Sequence, residues 1–255
     1  MGNFFSRIDP GLTAFLLAAV MLATWSAGFW LGRRRRKDAD AKPEGKFEDA
    51  VLAILGLLLA FTFSMALSKY DHRRETLVTD SNSIGDFYTC ASLVKEPVRS
   101  KLQAVIRDYT RLRLDFARRS GSGAEAAVTL GRFSQMQGEM TRLAGEALAE
   151  GTPIAVPLTN TLNNLTSAHA ARLVAVKDRL PESVVLLLFF AGAISTMLVG
   201  REQGSKEKPP LAGTMSFLFL VTLVVFVILD LNDPVKGIIT VNQEPMQRVL
   251  ESMGK

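Results

Sequence analysis

The chain has 255 residues, 48% of them hydrophobic, with a formal net charge of +5 and a mean hydropathy of +0.18. Its apolar residues gather in blocks with the charges between them, which excludes an ordinary soluble domain, where the two interleave into amphipathic faces. One cysteine, Cys90, excludes an internal disulfide, and two distant histidines, His72 and His169, give no structural zinc site.

The first apolar run, Gly11–Gly32, carries no charge. It is too long for the apolar core of a signal peptide, and its cations follow the run instead of preceding it. It is therefore expected to be retained as a transmembrane helix (11–32). Met1-Gly2-Asn3-Phe4-Phe5-Ser6 fits a myristoylation pattern, but a short pattern matches often by chance and a lipid adds little beside a spanning helix. Residues 33–49 form a short loop with Arg33, Arg34, Arg35, Arg36, Lys37, Lys42 and Lys46. Such a run beside an apolar block points to membrane orientation, not to nucleic acid.

The second uncharged run, Ala50–Ser68, gives a second span (50–68). Gly56, Ala60, Ser64 and Ser68 recur every four residues, a small-residue stripe that lets another helix approach closely. On the opposite face stand Ile54, Leu58, Phe61 and Met65. Around a symmetry axis that column forms an apolar constriction that gates by dewetting; in a lone helix the same residues face lipid.

Residues 69–182 lie outside the bilayer and read as helical throughout. Asp71–Leu93 continues the second span, loosened at Gly85. Pro97 opens a helix over Glu96–Arg119, with Val105, Tyr109, Leu112 and Phe116 as its buried stripe. The arginines 107, 111, 113, 118 and 119 read as a solvated face paired with Asp108 and Asp115. Gly121-Ser122-Gly123 breaks the chain before a helix at Ala124–Glu150. Gly151-Thr152-Pro153 breaks it again before Leu158–Leu180, and Pro181 precedes the next span. Asn164-Leu165-Thr166 matches a glycosylation sequon without other support.

The third and fourth spans are 183–200 and 211–229, joined by the short basic loop 201–210. Gly192, Thr196 and Gly200 form a second small-residue stripe. The tail, 230–255, opens with Asp230-Leu231-Asn232-Asp233-Pro234, whose acids either attract cations at a membrane exit or simply stop the span. Both short loops carry cations and fall on one side, so the positive-inside rule makes them cytoplasmic and puts both termini and the middle domain outside. The fold class is all-α: a polytopic membrane protein of four spans with a helical bundle inserted between the second and third.

No nucleophile elbow, phosphate loop or metal motif is present, and the spans hold no ionisable side chain, so neither an enzyme nor a proton-coupled pump is expected. No cofactor is expected.

Two stretches carry a resemblance to a family. One is Gly56-Leu57-Leu58-Leu59-Ala60-Phe61-Thr62-Phe63-Ser64-Met65-Ala66, running into Tyr70-Asp71-His72-Arg73-Arg74-Glu75 and Asn82-Ser83-Ile84-Gly85. The other is Leu229-Asp230-Leu231-Asn232-Asp233-Pro234, with Gly237 and Glu244-Pro245. The chain resembles the bacterial bestrophin-like domain family from Phe47 onward. That resemblance implies a homo-oligomer in the bacterial inner membrane, a tetramer or pentamer, that passes inorganic ions, with anions expected. It implies Ile54, Leu58, Phe61 and Met65 as pore lining, with Tyr70, Asp71, Arg73, Arg74, Glu75, Asp230 and Asp233 at pore mouths or in structural roles. His72-Arg73-Arg74 stands where bestrophins carry an arginine and two tryptophans. The resemblance also implies a cytosolic middle domain, opposite to the charge rule. The alternative reading is a membrane-anchored receptor or scaffold whose helical domain binds a ligand or partner and whose spans form no pore.

Overall fold

The computed structural model describes residues 9–35, 45–118, 123–206, 209 and 211–254. The myristoylation pattern, Arg7, Arg36, Lys37, Lys42, Arg119, Lys208, Lys255 and the Gly121-Ser122 break lie outside them. Among the described residues the regular structure is helical: α1 (Pro10–Arg35), α2 (Gly45–Ser92), α3 (Val98–Arg118), α4 (Gly123–Ala149), α5 (Ala155–Lys177), α6 (Glu182–Ser205), α7 (Leu211–Asn232) and α8 (Glu244–Ser252). Four helices among the described residues are long and apolar enough to cross a membrane. Lipid offers no partner to a bare N–H or C=O, so such runs must close their hydrogen bonds internally, and a helix does so.

Helix boundaries follow local chemistry. Asp9 caps α1 by accepting from Gly11 N at 2.8 Å, with Pro10 in the first turn. Glu96 holds the start of α3, accepting from Ser100 Oγ at 2.7 Å and from Arg99 Nε at 2.7 Å. Gly151 adopts φ 73°, the left-handed conformation that ends α4 and that a side chain disfavours. The sequence expectation of a loosened Gly85 is not met: α2 runs unbroken through it to Ser92.

The chain divides into two compact units, which α2 joins by running through both. The first comprises the residues up to Tyr70 and Arg179–Thr240. Its core is Leu17, Met21, Leu55, Val185, Leu218, Val221, Val225 and Leu229, with a smaller cluster of Ala66, Leu180, Ile228 and Leu231. The tightest pair is α1 with α6. A Cβ placed on Gly28 would stand 2.0 Å from the Met197 carbonyl oxygen, and one on Gly32 2.0 Å from that of Arg201. Reciprocally, Gly200 and Gly204 would meet the carbonyl oxygens of Trp25 and Phe29 at 2.2 and 2.1 Å. Two glycine pairs four residues apart thus face each other, and backbone touches backbone. Lipid tails compete with apolar side chains, so such close packing and interhelical hydrogen bonds replace the hydrophobic drive of a soluble core. Thr24 Oγ1 and Thr196 Oγ1 lie 2.8 Å apart, and Gln203 takes the Trp25 indole N–H at 3.2 Å while donating to Thr214 on α7.

The second unit comprises Asp71–Asp178 and Val241–Lys255. It is a helical bundle built from the lower part of α2, α3, α4, α5 and α8. The C-terminal segment is part of it: Met246 and Met253 are buried in the core with Leu77, Ile84, Phe87, Ile106, Tyr109, Phe133, Met140 and Leu143. The buried stripe of α3 runs through Val98, Leu102, Ile106 and Tyr109, while Val105, Leu112 and Phe116 flank it half-buried. The expected stripe is therefore turned by about one residue. Arg113 lies buried on that same face, bonded to Asp80 and His169.

Candidate functional site

The span of α2 is the least buried of the four: 17% of its apolar window is covered within the chain, against 28%, 33% and 28% for the others. Its one covered edge is Leu55, Thr62 and Ala66, with Leu59 half-buried. Neither sequence-predicted face lies on that edge. Ile54, Phe61 and Met65 are 57%, 63% and 43% exposed, and Leu58 is half-buried. Gly56 has no atom within 4 Å of an added Cβ, and Ala60, Ser64 and Ser68 are exposed. The column and the stripe are thus both brought to the surface of a single chain. By contrast, the stripe on α6 is occupied: Gly192 packs on Met21 and Leu17, Thr196 bonds Thr24, and Gly200 meets α1.

Below the span the candidate mouth residues separate. Tyr70 packs half-buried against the Ala66 cluster. Asp71, Arg74 and Glu75 are exposed. Arg73 is buried and reaches the Asp178 carbonyl at 3.5 Å. Asp230 and Asp233 are both buried and act on the backbone. Asp230 accepts from Ile238 N at 2.7 Å and Ile239 N at 2.8 Å; Asp233 accepts from Val235 N at 2.9 Å and Lys236 N at 3.0 Å. Asn232 accepts from Leu180 N at 2.6 Å. Gly237 is required there, since a Cβ would come 2.6 Å from the Asp230 carbonyl. This motif ties off the end of α7.

The second concentration of chemistry was not legible as such. In the bundle unit, Asp80 on α2 is fully buried and bonds Arg113 on α3 and, at 2.8 Å, Arg172 on α5. Arg113 Nη1 donates at 2.7 Å to His169 Nδ1, which also lies 3.1 Å from the Tyr109 hydroxyl. Gln137 on α4 donates to that hydroxyl at 3.3 Å, and Arg172 Nη2 donates to Gln243 Oε1 at 2.9 Å. The Phe133 ring lies under Arg113 and edge-on to His169. One network therefore staples α2, α3, α4, α5 and the C-terminal segment. Arg107, also turned inward, bonds the Met253 carbonyl at 2.8 Å and the Tyr88 hydroxyl at 3.3 Å. Of the arginines expected on a solvated face, Arg111 alone behaves so, paired with Asp108 at 3.1 Å; the side chains of Arg118 and Arg119 lie outside the described residues. The missed signal was Asp80, an acid on the apolar continuation of α2, whose partners lie 33 and 92 residues away.

This network fixes protonation. His169 Nδ1 is occupied as an acceptor, so the neutral ring carries its proton on Nε2. Burial, and then the Arg113 charge, hold His169 down at about 4, against the Asp80 charge, which raises it. Burial pushes the Tyr109 hydroxyl up to about 12. The unfolded chain takes up a proton at His169 near the ordinary 6.5 that the folded chain refuses until about 4. Stability linked to His169 is thus present above about pH 6.5 and lost as pH falls through that window. The melting-temperature gap between wild type and His169→Gln should be constant above about pH 7 and narrow toward pH 4. A gap that does not change with pH would remove His169 from the network's electrostatics.

The bestrophin-like domain matches residues 14–246. The chain belongs to the bestrophin-like family. Its fold is also that of two solved structures. A bacterial bestrophin homologue from Klebsiella pneumoniae, solved as a point variant, matches with a TM-score of 0.66 over 96% of this chain and 98% of its own, at 12% identity. A membrane protein, likewise a point variant, matches with a TM-score of 0.61 over 95% and 97%, at 12% identity. No curated protein matches the sequence. Membership of the bestrophin-like family and four apolar helices make this a membrane protein.

Proposed function

We propose that the chain is one subunit of a homo-oligomeric ion channel of the bacterial inner membrane, that it conducts anions, and that α2 lines the pore. The observation that carries this reading is the bare α2 span. A helix with so little cover inside its own chain, and with an apolar column on one face and a small-residue stripe on another, has two faces to give to other copies: one for packing and one for an axis. The family supports a channel-like protein, and a basic chain raises anion concentration near a pore mouth. In this reading Ile54, Leu58, Phe61 and Met65 form the constriction, and the loops 33–49 and 201–210 are cytoplasmic.

Planar-bilayer recording of the purified protein tests it. Anion currents should appear, and Phe61→Ala, which widens a hydrophobic constriction and eases wetting, should raise unitary conductance several-fold. No current above empty bilayers, across several ions and voltages, would overturn the proposal. The receptor reading has one observation in its favour. An open groove of about 450 Å³ lies on the bundle unit, lined by Arg111, Leu114, Asp115, Gln247, Leu250 and Glu251. It predicts a low-order assembly, so the particle mass in detergent separates the two: a ring of four or more subunits favours the channel.

A further inference from the structure

Several exposed cations among the described residues are paired with an acid one turn away. Arg99 meets Glu96, Arg111 meets Asp108, Arg142 meets Glu139 and Glu146, Lys206 meets Glu202, and Arg248 meets Glu244. The end of α1 carries two adjacent cations without such a pair. Arg33 and Arg34 are exposed, α1 contains no acidic residue, and neither arginine pairs with a carboxylate among the described residues. Beside them Trp30 is 52% exposed at the edge of the uncharged run, and the Arg34 guanidinium lies over its ring, 3.2 Å from the centroid.

The direction of this pair is fixed by the packing of α1. Gly28 and Gly32 face α6, and at 100° per residue Trp30 and Arg34 fall on the far side of the helix, away from it. They stand where an aromatic ring of a membrane protein meets the headgroup layer. Stacking on the indole face orients the guanidinium plane while leaving its edge donors open, the fork that matches two phosphate oxygens.

From this geometry we infer that Trp30, Arg34 and Arg33 form a binding site for the phosphate headgroup of an anionic phospholipid. The ring lies at the acyl boundary, Arg34 chelates the phosphate from its stacked position, and Arg33 supplies the second charge. The site serves one lipid at the rim of each chain and does not depend on whether the protein conducts.

The test uses Trp30 as its own reporter. The chain has two tryptophans, so Trp25→Phe leaves Trp30 alone. This variant is reconstituted in phosphatidylcholine bilayers with tail-brominated phosphatidylglycerol or tail-brominated phosphatidylcholine at equal mole fraction. Phosphatidylglycerol should quench Trp30 with a relative affinity roughly fivefold higher per arginine engaged. Adding Arg33→Gln with Arg34→Gln should bring the ratio to about one, while Arg34→Lys, which keeps the charge but not the planar fork, should retain part of it. Equal quenching by both lipids, or a preference that survives the double substitution, overturns the inference. Inorganic phosphate is added against chloride at matched ionic strength. If it abolishes the preference, the cluster is a free-phosphate site and the lipid assignment falls.

Discussion

Asp80→Asn is expected to cost about 3–5 kcal/mol of folding stability, the range for removing one partner of a buried ion pair. Asp80 is the one acid between Arg113 and Arg172, and the side chains of Asp80 and Arg113 are 0% and 3% exposed. Without its charge, two guanidinium groups stay buried with no counterion, and His169 between Arg113 and Tyr109 cannot supply one. The cost is a desolvation cost, so its order across variants follows from the geometry. Arg172→Met should cost less, since Arg172 is partly open and its loss leaves Asp80 paired with Arg113. Asp108→Asn, which removes an exposed bridge, should stay within about 1 kcal/mol. Unfolding of the full chain in detergent, with amide exchange read on α3 and α5, measures all three. If Asp80→Asn is no worse than Asp108→Asn, the network is ornamental to the bundle.

Gly28→Val should be the most damaging change in the membrane unit. Its Cβ would lie 2.0 Å from the Met197 carbonyl oxygen, and a backbone atom cannot swing aside as a side-chain tip can. The helices must separate, and the Gly32, Gly200 and Gly204 contacts, with the Thr24–Thr196 bond, go together. The cost of such overpacking exceeds the ordinary 1–3 kcal/mol because the obstacle is rigid. Gly213→Val is the control. It puts the same β-branched residue into another membrane helix with nothing within 4 Å of its Cβ. Thermal inactivation in detergent should fall sharply for Gly28→Val and little for Gly213→Val. Similar losses would mean that the α1–α6 contact is looser than described.

Parts of this architecture are written locally. Pro97 opens a helix and Gly151 closes one, because ring geometry and left-handed backbone are local properties. The stripe Gly192, Thr196 and Gly200 was visible as a period of four, but its mate, Gly28 with Gly32, was not read although it has the same spacing. Arg113 could not be read inward, since a helix wheel assigns arginine to solvent until a distant acid is known. Nor could the last fifteen residues be assigned: Met246, Met253 and Gln243 enter the bundle through contacts with residues far back in the chain.

The sequence by itself determined that four uncharged runs become helices, because in hydrocarbon a backbone polar group has no partner but its own helix. It determined the family as well, through the α2 and Asp230–Pro234 motifs. Only the tertiary structure decided which edge of α2 is covered, which glycines let α1 and α6 touch, and which charges are buried. Those depend on atoms brought together from opposite ends of the chain, and periodicity along one helix carries no record of what the next helix will present to it.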